Sequence, residues 1–282
     1  MKIAVIGAGV AGHGIVQAAS QNGKFNVTLC ARTSAQKGLD HIKENLQLSV
    51  KKGHILQVDM DEVLSRIQIT SSLKEAIAEA DFIIESIPER FDAKFSLFRQ
   101  MSPLVETKTI IVTNTSTLSI NNLAQALEHP ERFCGMHFFS PTHVMKLVEI
   151  TKGIQTSDET IKFVCEVAQK MGKENVVLER EVPGFIVNRI VMSALNEAVE
   201  LFSKGVASKE TIDKAVKLGL NWPMGPLKLI DFVGVDTVLA ILEILAEQDP
   251  KFEPNPELRR MVSSYLLGRK SGKGFYDWAS RS

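Results

Sequence analysis

The run Lys2 to Ile6 is short and continuously apolar, Gly7 to Gly12 is a glycine-rich turn, and Ile15 to Ser20 begins an apolar-faced helix. Asn26 to Ala31 follows the turn signal Gln21-Asn22-Gly23 and reads as a second strand, so the opening segment is a βαβ unit of about 30 residues. Phe82 to Ile87 and Thr109 to Thr113 are two further strands without the alternation of a half-exposed strand, as expected where parallel strands are covered on both faces. Helical spacing over Gln36 to Lys52 and Ala93 to Ser102 fills the intervals. The pattern predicts an α/β fold, a doubly wound and mostly parallel sheet. Past Glu181-Val182-Pro183-Gly184 the strands stop, and Phe185 to Phe202, Lys209 to Leu218 and Asp236 to Ala246 all show helix-spaced apolar residues. The boundary is therefore set at Pro183, with residues 1–182 as a dinucleotide-binding domain and 183–282 as a smaller all-α domain. Asp249 to Pro256 and the glycine-rich, basic Gly268 to Trp278 read as loops.

Composition narrows the class. The 282 residues are 44% apolar and 23% charged, ordinary values for a folded chain of about two domains. Thirty-three basic side chains balance thirty-three acidic ones, so there is no global field for a polyanion and nucleic acid is not expected as a partner. No apolar stretch approaches the roughly 20 residues of a membrane span. Met1 to Ser20 resembles a signal peptide only superficially, because its glycines belong to the fold. Cys30, Cys134 and Cys165 are odd in number and widely spaced, which predicts neither disulfides nor a metal site and points to a reducing, cytoplasmic location.

Gly7-Ala8-Gly9-Val10-Ala11-Gly12 is a GxGxxG between strand and helix, where the glycines allow a tight turn, close approach of a pyrophosphate and close packing of helix on strand. A Rossmann-type nucleotide fold is the expectation. The second strand runs into Ala31-Arg32-Thr33-Ser34 with no carboxylate before Asp40, so nothing is placed to accept from a free ribose 2′-hydroxyl. Arg32 can instead form charge-assisted hydrogen bonds to a 2′-phosphate, which favours NADP(H), with NAD(H) as the alternative.

His137 lies in the apolar segment Phe133 to Ser140, where an imidazole needs a polar partner. Glu149 ends the next apolar run, Val144 to Ile150, and a hairpin centred near His143 brings it opposite His137. Such a pair is either a general base with its carboxylate or a structural hydrogen bond. Asn188 shares a helix face with Val191, Leu195 and Val199, and is either a satisfied contact between domains or a group directed into a cleft.

With these residues in view, the chain resembles the L-3-hydroxyacyl-CoA dehydrogenase family, and within it the short bacterial 3-hydroxybutyryl-CoA dehydrogenases, over essentially its whole length. The resemblance rests on the glycine turn, Ile87 to Asp92 (IPERFD), Asn114 to Ile120 (NTSTLSI), Gly135 to Pro141 (GMHFFSP), Met145 to Glu149 (MKLVE), Pro183 to Arg189 (PGFIVNR), Pro223 to Pro226 (PMGP) and Gly268 to Tyr276 (GRKSGKGFY). It implies that His137 is the catalytic base with Glu149 orienting it, that Ser116 and Asn188 hold the substrate oxygens, and that Glu89 and Lys94 contact the cofactor. It also implies a CoA thioester substrate met by Asn45 and Lys52, and a homodimer formed through the helical domain. Ser140 stands where the family usually has Asn, which implies a shorter or water-mediated contact near the nicotinamide. Thr117 replaces a frequent serine while keeping a hydroxyl. The rival readings are a dehydrogenase of the same fold acting on a hydroxy acid without CoA or on a carnitine-like alcohol, and a dinucleotide-binding sensor or structural protein without turnover.

Overall fold

The computed structural model describes residues 1–279, which fall into two compact units, Met1–Val182 and the part of the chain from Pro183 onward. In the first unit the order is β1 (Lys2–Ile6), α1 (Val10–Gln21), β2 (Asn26–Cys30), α2 (Ala35–Lys51), α3 (Gln57–Ser65), β3 (Ile67–Thr70), α4 (Leu73–Ile77) and β4 (Phe82–Glu85). It continues with α5 (Phe91–Met101), β5 (Ile110–Thr113), α6 (Ile120–Ala124), β6 (Phe133–Phe138), β7 (Leu147–Thr151), α7 (Asp158–Lys170) and β8 (Glu174–Leu178).

The eight strands form one sheet in the order β3-β2-β1-β4-β5-β6-β7-β8. All neighbours are parallel except β6 and β7, which run antiparallel. Every residue of β4 and β5 is buried, which explains why their sequences, FIIE and IIVT, do not alternate. The strand order reverses direction between β1 and β4, and a crevice at the carboxyl ends of these strands is where doubly wound sheets take ligands. The strands β3 and β8 escape the pattern reading because each is an edge strand with only one neighbour, and their short, partly polar sequences IQIT and ENVVL give little hydrophobic signal.

The second unit holds α8 (Val187–Ser203), α9 (Lys209–Leu220), α10 (Pro226–Val233), α11 (Val235–Ala246) and α12 (Pro256–Ser263) around a core that includes Leu195, Val199, Leu227, Ile230, Leu242 and Phe252. The chain starts α10 with Pro226, whose missing N–H costs nothing in a first turn, and Asp213 accepts from the next two amides, Leu227 at 2.8 Å and Lys228 at 3.1 Å.

Gly268 to Trp278 departs from the expected surface loop. It folds back on the fully buried Asp231, which accepts from the amides of Phe275 (2.9 Å) and Tyr276 (2.7 Å) and from the indole of Trp278 (3.0 Å). A Cβ at Gly268 would lie 2.3 Å from the Asp231 carbonyl oxygen, and one at Gly274 2.1 Å from its Oδ1, so both glycines are required by close approach. The glycines that suggested flexibility are packing residues. Among the described residues, no helix is long and apolar enough to cross a membrane.

Candidate active site

The turn after β1 opens a cleft of about 1120 Å³ in the first unit. At one end it is bordered by Gly7 to Ala11 and by Arg32, and at the other by Asn114, Ser116 and His137. The three glycines of the turn differ in what they permit. A Cβ on Gly12 would lie 1.9 Å from the Gly7 carbonyl oxygen, and one on Gly7 2.3 Å from that of Ser86, so both are fixed by packing. Gly9 faces open space, with nothing within 4 Å of its virtual Cβ, and it caps the N-terminus of α1. This is the room a pyrophosphate needs at a helix start with amides exposed. The residues present fit a dinucleotide.

Arg32 is exposed on the loop beyond β2 and borders the cleft together with Thr33 and Ser34. Asp40, the nearest following carboxylate, accepts from Gln36 one helical turn away and does not border the cleft. The acidic partner of a ribose diol is thus absent from this end of the cleft as described.

His137 and Glu149 are register partners across the antiparallel pair β6 and β7, and same-face neighbours in such a ladder bring their side chains together. His137 Nδ1 and Glu149 Oε2 are 2.9 Å apart, with Glu149 fully buried. A carboxylate only accepts, so Nδ1 carries the proton and the basic lone pair lies on Nε2. The ring of Phe139 packs 4.6 Å from the imidazole, centroid to centroid.

Asn114, not singled out beyond its motif, ties the strand ends together at this point. Its amide donates to the Glu85 carbonyl (2.8 Å), its side chain donates to Ser86 Oγ (3.2 Å), and its Oδ1 accepts from the Phe138 amide (2.9 Å). The signal for it was available, since a polar residue directly after a buried strand must find partners. Ser116 meets Glu89. One oxygen of that carboxylate accepts from the Ser116 amide (2.8 Å) and hydroxyl (3.3 Å), the Thr117 amide and hydroxyl (3.1 Å each) and the Thr115 hydroxyl. Burial works against charge on Glu89, but Lys94 and these hydrogen bonds outweigh it and hold the carboxyl below its usual range.

Lys94 is turned inward, to the end of β4. It is fully buried and does not border the cleft, because Glu85, at the end of β4, captures its ammonium at 2.7 and 2.9 Å. Ser140 is exposed on the loop after β6, outside the cleft lining. Asn45 donates to Gln17 Oε1 at 3.3 Å and joins α2 to α1, and Lys52 is exposed at the C-cap of α2. Neither borders the cleft. Asn188 is half-buried in the first turn of α8, in the second unit.

A glycine turn at the sheet's switch point and a buried His–Glu pair in one cleft define a nicotinamide-dependent oxidoreductase. Residues 2–182 match the family model described as 3-hydroxyacyl-CoA dehydrogenase, NAD binding domain, and residues 184–278 that of the 3-hydroxyacyl-CoA dehydrogenase C-terminal domain. The chain belongs to the 3-hydroxyacyl-CoA dehydrogenase family. It is 45% identical to a probable 3-hydroxybutyryl-CoA dehydrogenase of Deinococcus radiodurans, covering 99% of this chain and 100% of that one. It is 42% identical to the 3-hydroxybutyryl-CoA dehydrogenase of Clostridioides difficile, covering 99% of each. Among solved structures, the (S)-3-hydroxybutyryl-CoA dehydrogenase of Ralstonia eutropha superposes with a TM-score of 0.93 at 38% identity, covering 98% of each chain.

Proposed function

We propose that this protein interconverts a short-chain (S)-3-hydroxyacyl-CoA and the corresponding 3-oxoacyl-CoA, using NADP(H) in preference to NAD(H). The observation that carries the reaction is the His137–Glu149 pair, 2.9 Å apart in the cleft that begins at the glycine turn. The named activities of the similar proteins support the substrate class.

The nicotinamide supplies a hydride acceptor for oxidation and a hydride donor for reduction. The chain supplies the proton chemistry and the positioning. His137 Nε2 takes the proton of the 3-hydroxyl as the alcohol is oxidised, and the imidazolium so formed is stabilised by Glu149 across Nδ1. In reduction the same proton returns to the alkoxide. Ser116, on the loop that borders the cleft, and Asn188 are assigned to hold the 3-oxygen and the neighbouring carbonyl. Asn45 and Lys52 are assigned to the CoA moiety. The helical unit exposes Ile186, Ile190, Leu218, Leu220 and Phe232, which supports a homodimer through that unit. The chain's three unpaired cysteines suit a reducing, cytoplasmic location.

Arg32 decides the cofactor. Assayed with acetoacetyl-CoA, the protein is expected to use NADPH at least about tenfold more efficiently than NADH, and Arg32→Ala is expected to bring the two near parity by acting on NADPH alone. A clear NADH preference in the unaltered protein overturns the NADP assignment. Absence of turnover with either nicotinamide overturns the substrate class, and equal turnover of free acetoacetate overturns the CoA requirement.

A further inference from the structure

Beneath the cleft, Glu85, Lys94 and Thr113 are all fully buried. The Glu85 carboxylate accepts from the Ile87 amide at 2.7 Å, from the Thr113 hydroxyl, and from Lys94 Nζ at both oxygens. The Ile87 amide and the Lys94 ammonium, which reaches both oxygens, can only donate, so the ionised form is the one this geometry satisfies, with the Thr113 hydroxyl turned to donate. Burial pushes the Glu85 carboxyl above its usual range, and Lys94, Thr113 and the Ile87 amide pull against the rise without cancelling it. Lys94 has a second carboxylate within reach, Glu89 Oε2 at 3.5 Å, and Glu89 in turn holds Thr115 to Thr117. Two carboxylates thus share one ammonium. The next residue, Arg90, borders the cleft and is exposed, so solvent screens its charge more than those of the fully buried Glu85 and Lys94.

We propose that Glu85 is a positioning residue of the dehydrogenase site. By holding Lys94 it leaves Glu89 free to hold the Ser116 loop, and the trio of Glu85, Glu89 and Lys94 keeps one net negative charge next to Ser86 and Ile87, which border the cleft. That charge favours the oxidised nicotinamide ring, which is positive, over the reduced ring, which is neutral. Without the Glu85 charge, Lys94 belongs to Glu89 alone. Glu89 is then drawn off the loop and the local excess charge disappears. Nothing in the sequence marked this residue, because a glutamate closing an apolar strand looks like the strand's solvent-facing end.

The inference rests on the proposed dinucleotide function, and the test separates the two. Dissociation constants for the oxidised and reduced forms of one nicotinamide dinucleotide are measured by calorimetry or by quenching of protein fluorescence, without substrate. Glu85→Gln is expected to shift the ratio of the two constants toward the reduced form by about 3- to 10-fold, the size of one charge acting through a partly screened interior. A merely structural role weakens both forms equally, and that result, or no change in either, overturns the proposal. If Glu85→Gln does not fold, Glu85→Asp replaces it. This variant keeps the charge but withdraws it by one methylene, and it is expected to preserve the ratio within about twofold while weakening both forms several-fold. Loss of the ratio in Glu85→Asp, or unchanged affinities, overturns the proposal as well. An unaltered protein that binds neither form refutes the dinucleotide reading itself.

Discussion

Replacing His137 by alanine is expected to lower kcat by about 10² to 10⁴ while leaving the fold and dinucleotide binding intact. That range is what a positioned general base contributes. The imidazole is a side chain of β6, and the β6–β7 ladder is held by backbone bonds on either side of it, so its removal opens a small space without breaking a strand pair. Its loss also leaves Glu149 buried without the imidazole at 2.9 Å, which costs some stability. Stopped-flow measurement of NAD(P)H oxidation with acetoacetyl-CoA, beside circular dichroism of both proteins, gives the answer. A variant that keeps more than about a tenth of the activity removes His137 from the role of base.

The second large effect is on stability. Asp231→Ala strips the acceptor from two backbone amides and an indole N–H in the interior of the helical unit. At roughly 1–3 kcal/mol for each buried donor left unsatisfied, and allowing for water entering the space, the loss is about 3–5 kcal/mol. Urea denaturation followed by tryptophan emission is suited to it, because Trp278 donates directly to Asp231. A loss below about 1 kcal/mol contradicts the account of Gly268 to Trp278 as a packed clasp. The clasp also predicts where the damage falls, in the unit that begins at Pro183, since all its partners lie there.

Much of the nucleotide-binding half can be read locally. The glycine turn declares itself because its three glycines fall within six residues between a strand and a helix, and β1, β4 and β5 because burial on both faces favours apolar runs without alternation. His137 and Glu149 are legible for the opposite reason, as polar residues where the pattern asks for apolar ones, joined by a stretch short enough to turn back. The features that resist reading depend on distant partners. Lys94 looks like a cleft lysine until Glu85, nine residues back, is seen to hold it. Gly268 and Gly274 look like loop residues until Asp231 is placed against them. The edge strands β3 and β8 each have one paired side, and half a partner gives half a signal.

The lone reversal in the sheet has a further result. Because a single rung of a backbone ladder sets the spacing of the base and its carboxylate, the dyad is assembled when the hairpin zips, before any ligand arrives. The connecting residues between Phe138 and Leu147 are therefore spared the task of aligning the chemistry. What the dyad asks of this hairpin is that the rungs from Gly135 to Phe138 keep their opposite numbers.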